Sequence, residues 1–262
     1  MRIQETLDRI TANFVGNPPQ PDTQEDRVKQ YDCDICEDKG FIFSTDERMY
    51  SFARHCECHI KKIIYARLKR SGLYNLAQKH SFENFSTEHN FQKHIKDRAT
   101  EYLNQGKYFW FFIGGQVGAG KTHICTAVCK GIIDQGMVLV FEEYRNIIMK
   151  IKAAANNNEE YLKITNELKE APALYLDDVF KTKAGESVPR TDIEHLFNII
   201  NHRYNNAKAT VISSEKTISE ITCIDEAIGS RIAEMAGCFV LNIDKQHGRN
   251  YRLRKTEDLF SG

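Results

Sequence analysis

The chain has 262 residues, enough for one mid-sized core and a small appendage, and its 36 basic residues balance 36 acidic ones. With no net charge there is no global field to attract nucleic acid, so any basic binding surface has to be local. The N-terminal Met1-Arg-Ile-Gln-Glu-Thr-Leu has no apolar signal core, and no stretch reaches the ~18 apolar residues of a membrane span, so a cytoplasmic protein with no membrane partner is expected.

Residues 1 to about 16 carry Ile3, Leu7, Ile10 and Phe14 at helical spacing, with charges between them. Gly16-Asn-Pro-Pro-Gln-Pro-Asp then reads as a linker, because its prolines cannot continue a helix. Cys33-Asp-Ile-Cys36 follows, and after 19 intervening residues comes Cys56-Glu-Cys58. Two chelating pairs around a short loop are the pattern of a structural four-cysteine zinc site, which needs four soft ligands in a closed tetrahedron. Gly40 and Phe41-Ile-Phe43 suit a small hairpin between the pairs. His55 and His59 flank the second pair, and either one could replace a cysteine. Free thiols or an iron–sulfur cluster are the alternatives. The other four of the eight cysteines, Cys125, Cys129, Cys223 and Cys238, fall in helix or strand patterns and are read as small core residues.

A basic helical pattern resumes from Ile60 to Leu76. From Ser81 onward strands and helices alternate. Tyr108–Ile113, Met137–Phe141, Leu174–Leu176, Ala209–Ser213 and Cys238–Ile243 are the strand candidates, with helical stretches such as Thr191–Asn205 between them. Alternation of this kind predicts an α/β fold with a five-stranded parallel sheet covered on both faces. The expected organisation is an N-terminal helix and zinc region at 1–66 for partner docking, a linker helix at 67–80 and the α/β domain at 81–262.

Gly115-Gln116-Val117-Gly118-Ala119-Gly120-Lys121-Thr122 fits the phosphate-binding P-loop, with a strand before it and a helix from His123 to Ile133 after it. The glycines let several N–H groups point at one phosphate, and the helix adds the positive end of its dipole. Lys121 would reach the β- and γ-phosphates, and the Thr122 hydroxyl would sit on Mg²⁺. Ala173-Leu-Tyr-Leu176-Asp177-Asp178 supplies the acidic partner: Asp177 for Mg²⁺, Asp178 to polarise the attacking water. An ATPase using ATP and Mg²⁺ is expected. On the helix expected after the second strand, Tyr144, Arg145, Lys150 and Lys152 offer an aromatic and cations to single-stranded DNA; a solvated helix face is the alternative.

The P-loop with His123 after its threonine, Leu-Tyr-Leu-Asp-Asp, Asn201-His-Arg203-Tyr204, Thr210-Val-Ile-Ser-Ser, Ser230-Arg231-Ile232 and Tyr251-Arg252-Leu occur in that order. Together they resemble the DnaC/DnaI-type replicative helicase loaders, AAA+ proteins related to the IstB-type transposition ATPases. The likeness runs from about residue 80 to 255, and Ser81-Phe82-Glu-Asn-Phe85 resembles the segment that introduces the family's core. The resemblance implies that Arg231 is the arginine finger and Arg252 the sensor arginine. It further implies ATP-controlled self-assembly and loading of a DnaB-type helicase onto single-stranded DNA. One position departs from the family: Glu215 stands where Asn usually positions the water. A carboxylate there repels a γ-phosphate, so the sensor role passes to Ser214 or hydrolysis is slow. An IstB-type accessory ATPase and an ATP-binding zinc adaptor with little turnover are the competing readings.

Overall fold

The computed structural model describes residues 32–45, 49–106, 109–183, 185–246 and 250–251. The amphipathic pattern at 3–14, the linker at 16–22 and Arg252 lie outside the described residues. The chain divides into two compact units, with the boundary between Cys58 and His59.

The first unit is built on an antiparallel hairpin, β1 (Phe41–Thr45) and β2 (Ser51–His55), with Phe41 opposite His55. It is the hairpin expected between the two cysteine pairs. Glu37 and Asp38 both take left-handed backbone conformations, at φ 49° and 61°, and turn the chain from Cys36 into Gly40. Helix α1 (Glu57–Arg70) carries Cys58 in its first turn.

The second unit holds a sheet of five parallel strands: β3 (Trp110–Gly115), β4 (Leu139–Glu143), β5 (Ala173–Val179), β6 (Ala209–Ser214) and β7 (Val240–Ile243). Their spatial order is β4-β5-β6-β3-β7. All five candidates form strands, displaced by a few residues at their ends. Every residue of β3 is buried because helices cover both faces, the reason a parallel strand reads as an unbroken apolar run. Alternation divides its side chains between two cores. Phe111 and Ile113 join α3 (Asn90–Asn104) and α4 (Lys121–Asp134) on one face. Trp110 and Phe112 join α5 (Tyr144–Ala153), α7 (Arg190–Asn205) and α9 (Glu226–Ala236) on the other. The Trp110 indole donates to the Lys208 carbonyl (2.9 Å), so its one polar atom is satisfied in the core.

The helix read from Ile60 to Leu76 is broken. It stops at Arg70, Gly72 turns the chain at φ +80°, and a short α2 (Tyr74–Ala77) follows. Helices α3, α9, α6 (Asn158–Glu170) and α8 (Ile218–Ile224) were not anticipated by name; the Asn157 side chain caps α6, and a Thr217–Glu220 capping box opens α8.

Candidate functional site

The carboxyl ends of β3, β5 and β6 converge on one cavity of about 330 Å³. Ligands are expected at this end of an open parallel sheet. Val117 through His123 line it together with Asp178, Lys181 and Glu215, while Gly115 and Gln116 lie behind Lys121. Two glycines of the loop are dictated by space. Gly115 runs at φ +110°, and a Cβ there would meet the Ile243 carbonyl oxygen at 2.1 Å. Gly120 precedes α4 at φ +91°, and a Cβ there would press on the Phe85 ring at 2.9 Å. The loop thus delivers the N–H groups of the first turn of α4, a 14-residue helix, to the cavity.

Lys121 is buried, and its ammonium donates to the carbonyls of Gly115 (2.9 Å) and Gln116 (2.8 Å). Burial lowers its pKa, partly opposed by Asp178, Glu215 and Asp177. The Thr122 hydroxyl donates to Asp177, at 3.2 Å from Oδ1 and 3.3 Å from Oδ2. Asp177 Oδ1 also accepts from the Tyr175 hydroxyl (2.7 Å) and from Ser213 Oγ. Most of the bonding is therefore on one carboxylate oxygen, and Oδ2 is left for a cation. Burial raises the Asp177 pKa, while the bonds from Ser213 and Tyr175 act in the opposite direction. A cation beside Oδ2 suits that chemistry. Thr122 and Asp177 are the residues that would hold Mg²⁺.

Asp178 projects into the same cavity, and its backbone N–H donates to Ser213 Oγ (2.9 Å). Lys181 Nζ lies 2.6 Å from Asp178 Oδ2 and 3.0 Å from Glu215 Oε1. Ser214 does not take the sensor position. It is fully buried, its hydroxyl donates to the Val179 carbonyl (2.6 Å) and it accepts from Lys216 N–H (3.1 Å). Ser213 is the serine in contact with Asp177.

His123 ties the segment before the core to α4. Its Nε2 lies 2.8 Å from the Ser81 carbonyl, and its ring stacks on His80 (4.7 Å) and meets Phe85 edge-on (5.1 Å). Lys79, His80, Phe85 and Tyr251 also line the cavity. Arg231, in α9, does not line this cavity. Its guanidinium donates to Asn201 Oδ1 (3.1 Å) and the Ala227 carbonyl (2.8 Å), and lies 5.3 Å from the rings of both Phe197 and Tyr204.

In the first unit the ligand sulfurs of Cys33, Cys36, Cys56 and Cys58 lie within 4.8 Å of one another. Cys33 and Cys56 are 3.7 Å apart and Cys36 and Cys58 3.3 Å. A tetrahedron with Zn–S bonds of about 2.3 Å has edges of about 3.8 Å, so the four residues fit zinc. Gly40 N–H donates to Cys36 Sγ (3.4 Å), a bond that favours a thiolate. Backbone N–H groups of Cys36 and Ile35 hold the Cys33 thiol down to about 7, while Cys58, sharing a proton with Cys36, is pushed up to about 12. Such a cluster ionises fully only around a cation. Neither flanking histidine belongs to the group; the His55 ring rests on Phe41 at 4.8 Å.

Two expectations are corrected. Tyr144 is buried, edge-on to Phe180 at 5.7 Å, and cannot stack on a base; Lys150 pairs with Glu142 and Lys152 with Asp192. Helix α5 buries its aromatic face against the sheet, which leaves an ordinary solvated face outside. Cys125 and Cys129 are core residues as expected, but Cys223 and Cys238 are exposed.

Tyr175 and Ser213 escaped the sequence reading because both lie in apolar runs. The available signal was period two, which puts Tyr175 on the same side of β5 as Asp177.

A P-loop and an acidic strand end on a parallel sheet in this order define an AAA+ ATPase domain. The bacterial DnaA ATPase domain family matches residues 76–238, and the chain belongs to that family as a protein of the DnaC/DnaI type. It is 33% identical to Bacillus subtilis YqaM, covering 92% of this chain and 90% of that protein. It is 29% identical to the B. subtilis phage-like element PBSX protein XkdC, over 92% of each. Identity to the replicative helicase loader DnaC of Escherichia coli K12 is 24%, over 63% of this chain and 66% of that one. Among solved structures, a DnaC helicase loader aligns with TM-score 0.54 at 20% identity, over 65% of this chain and 98% of the other. AMPPCP-bound DnaA from Aquifex aeolicus aligns with TM-score 0.52 at 20% identity, over 70% of this chain. The chain spans 55% of the length of that DnaA. Among the described residues no helix is long and apolar enough to cross a membrane.

Proposed function

We propose that this ATPase loads a DnaB-type replicative helicase onto single-stranded DNA during replication initiation or restart. The observation that carries the reading is the convergence of Lys121, Thr122 and Asp178 on one cavity, with Asp177 bonded to Thr122 beside it, in a chain similar to a named helicase loader over 63% of its length. Lys121 and the α4 N-terminus bind the phosphates, and Thr122 and Asp177 hold Mg²⁺, which when bound neutralises charge on the β- and γ-oxygens. Asp178 accepts the proton of the attacking water. Arg231, turned away from its own cavity, serves the nucleotide of a neighbouring subunit, so turnover follows assembly.

The four cysteines hold zinc as a structural brace. Four protein ligands leave no open position for water, so the metal organises a docking surface and takes no part in chemistry. For DNA contact, α1 replaces α5. Lys61, Lys62, Tyr65, Lys69 and Arg70 are exposed on it at helical spacing, with Lys69 Nζ 4.7 Å from the Tyr65 ring centroid. An aromatic among cations suits single strands.

The test is reconstitution with full-length protein. With ATP, it should retain a cognate DnaB-type helicase on circular single-stranded DNA, and zinc chelation should abolish the complex. No helicase binding with ATP present, or retention of a transposase instead, rejects the loader reading.

A further inference from the structure

The nucleotide cavity holds one lysine too many for the scheme above and one carboxylate too many. Glu215, just past the end of β6, should repel a γ-phosphate, yet it is matched by Lys181, a cation the P-loop scheme does not use. Lys181 Nζ is shared between Asp178 Oδ2 at 2.6 Å and Glu215 Oε1 at 3.0 Å, and all three side chains line the cavity. The placement is built in. Asp178 and Phe180 take left-handed backbone conformations at φ 56° and 59°, and Lys181 N–H donates to the Asp178 carbonyl (3.1 Å). Phe180 is fully buried and anchors that turn, which folds Lys181 back over Asp178. Burial disfavours the Lys181 charge, but the two carboxylates outweigh it and hold the pKa above that of a free lysine.

This position matters because Asp178 is the residue assigned to take the proton of water. An ammonium 2.6 Å away occupies the oxygen that a water would use. Lys181 is about one-third exposed and long enough to turn toward the space next to Lys121 and Thr122.

We propose that Lys181 is a positioning residue that couples the γ-phosphate to the general base, and that Glu215 is its second anchor. A γ-phosphate draws the ammonium off Asp178, while Glu215 keeps it inside the cavity and aimed at a γ-oxygen. Asp178 Oδ2 is then open to a water. That water attacks the γ-phosphorus and gives one proton to Asp178; the bond from the γ-phosphorus to the bridging oxygen breaks, and ADP leaves with the electron pair. ADP has no γ-phosphate and leaves Lys181 on Asp178. The departure at Glu215 is thus half of an ion-pair device that does the work of a neutral sensor side chain. This inference rests on the ATPase reading of the cavity.

The experiment compares MgAMPPCP binding, MgADP binding and steady-state ATP hydrolysis in full-length parent, Lys181→Met, Lys181→Arg and Glu215→Gln. Losing a charge-assisted bond to the γ-phosphate should weaken AMPPCP binding to Lys181→Met by about tenfold or more, leave ADP binding within about twofold, and lower kcat. Lys181→Arg should recover most of the AMPPCP affinity. Glu215→Gln removes the second anchor, so Lys181 stays on Asp178 and kcat should fall. AMPPCP binding should weaken, though by less than in Lys181→Met because a carboxylate that repels the γ-phosphate is also gone, with ADP binding unchanged. If Lys181→Met binds AMPPCP and turns over like the parent, or loses ADP affinity equally, the proposal is overturned. Should turnover be too slow to measure, the split between AMPPCP and ADP decides alone. A parent that binds neither nucleotide overturns the ATPase reading itself, a result distinct from a failure of the Lys181 variants.

Discussion

Arg203 gives the sharpest test of how this domain is held together. It lies in α7 with no exposed surface, and its charge is met by backbone oxygens at two places. Nη1 donates to the Leu168 (2.8 Å) and Ala171 (2.9 Å) carbonyls at the C-terminal end of α6, where unpaired carbonyls and the helix dipole favour a cation. Nη2 donates to the Ala209 carbonyl, and Nε to Thr210 Oγ1 (2.9 Å), at the start of β6. Arg203→Met keeps the stem and removes the fork, leaving three buried carbonyls without donors at about 1–3 kcal/mol each. Against this, the variant is spared the burial that lowers the guanidinium pKa from 12.5 to about 10, on the order of 3 kcal/mol. The net loss should be about 3 kcal/mol, a fall in Tm of about 6–12 °C for a domain of this size. Arg203→Lys should lose nearly as much, because one ammonium cannot bond α6 and β6 together. Differential scanning calorimetry of full-length protein reads both. An Arg203→Met transition within about 2 °C of the parent would refute the argument.

Purified protein should contain one zinc per chain by elemental analysis, and chelation should release it with four additional titratable thiols; a metal-free preparation with every thiol reactive under reducing conditions removes the zinc site. Lys121→Ala should lose nucleotide binding, whereas Asp178→Asn should bind ATP and hydrolyse it poorly, as equilibrium binding and phosphate release will distinguish. Arg231→Ala should bind ATP normally and lose the rise in specific activity with protein concentration; an unchanged concentration dependence rejects the finger assignment. Replacing Lys61, Lys62, Lys69 and Arg70 by Ala should make the salt dependence of oligo-dT binding shallower by up to about 3 in log–log slope, and Tyr65→Ala should cost about 1–3 kcal/mol. Anisotropy titrations that show parent-like binding for both would move the DNA contact elsewhere.

The parts legible in the sequence were those where one residue type has one reason to be there. Buried parallel strands need continuous apolar runs, and all five were found. The P-loop glycines have no substitute where a Cβ would strike Ile243 or Phe85. The cysteine pairs meet because Cys33 and Cys36 share a tight turn and the hairpin brings Cys56 and Cys58, at the start of α1, back beside it. What stayed hidden depends on facing. Tyr144 reads the same whether its ring is in the core or in solvent, and only the packing of α5 puts it inside. Cys223 and Cys238 sit among apolar residues in sequence, yet their positions face outward. Lys181 follows a strand and reads as a surface lysine until the turn at Phe180 is seen to fold it back.

The same turn resolves a difficulty in assigning two roles to adjacent carboxylates. In a regular strand Asp177 and Asp178 would point to opposite faces, and only one could reach the cavity. The register of β5 against β6 is regular from Ala173 to Leu176 and resumes at Val179 opposite Ser214, so the two aspartates sit in the bulge between. Asp178 adopts φ 56° there, at a cost that a non-glycine residue bears only when its surroundings impose it. Those surroundings are identifiable. Ser213 Oγ accepts from the Asp178 N–H that the bulge removes from the ladder, and donates to Asp177 Oδ1. One hydroxyl on β6 therefore holds the Asp177 carboxylate in line and supports the strained backbone that swings Asp178 into the cavity. The distortion of β5 is what lets two consecutive acidic residues take the separate roles proposed for them, metal ligand and general base.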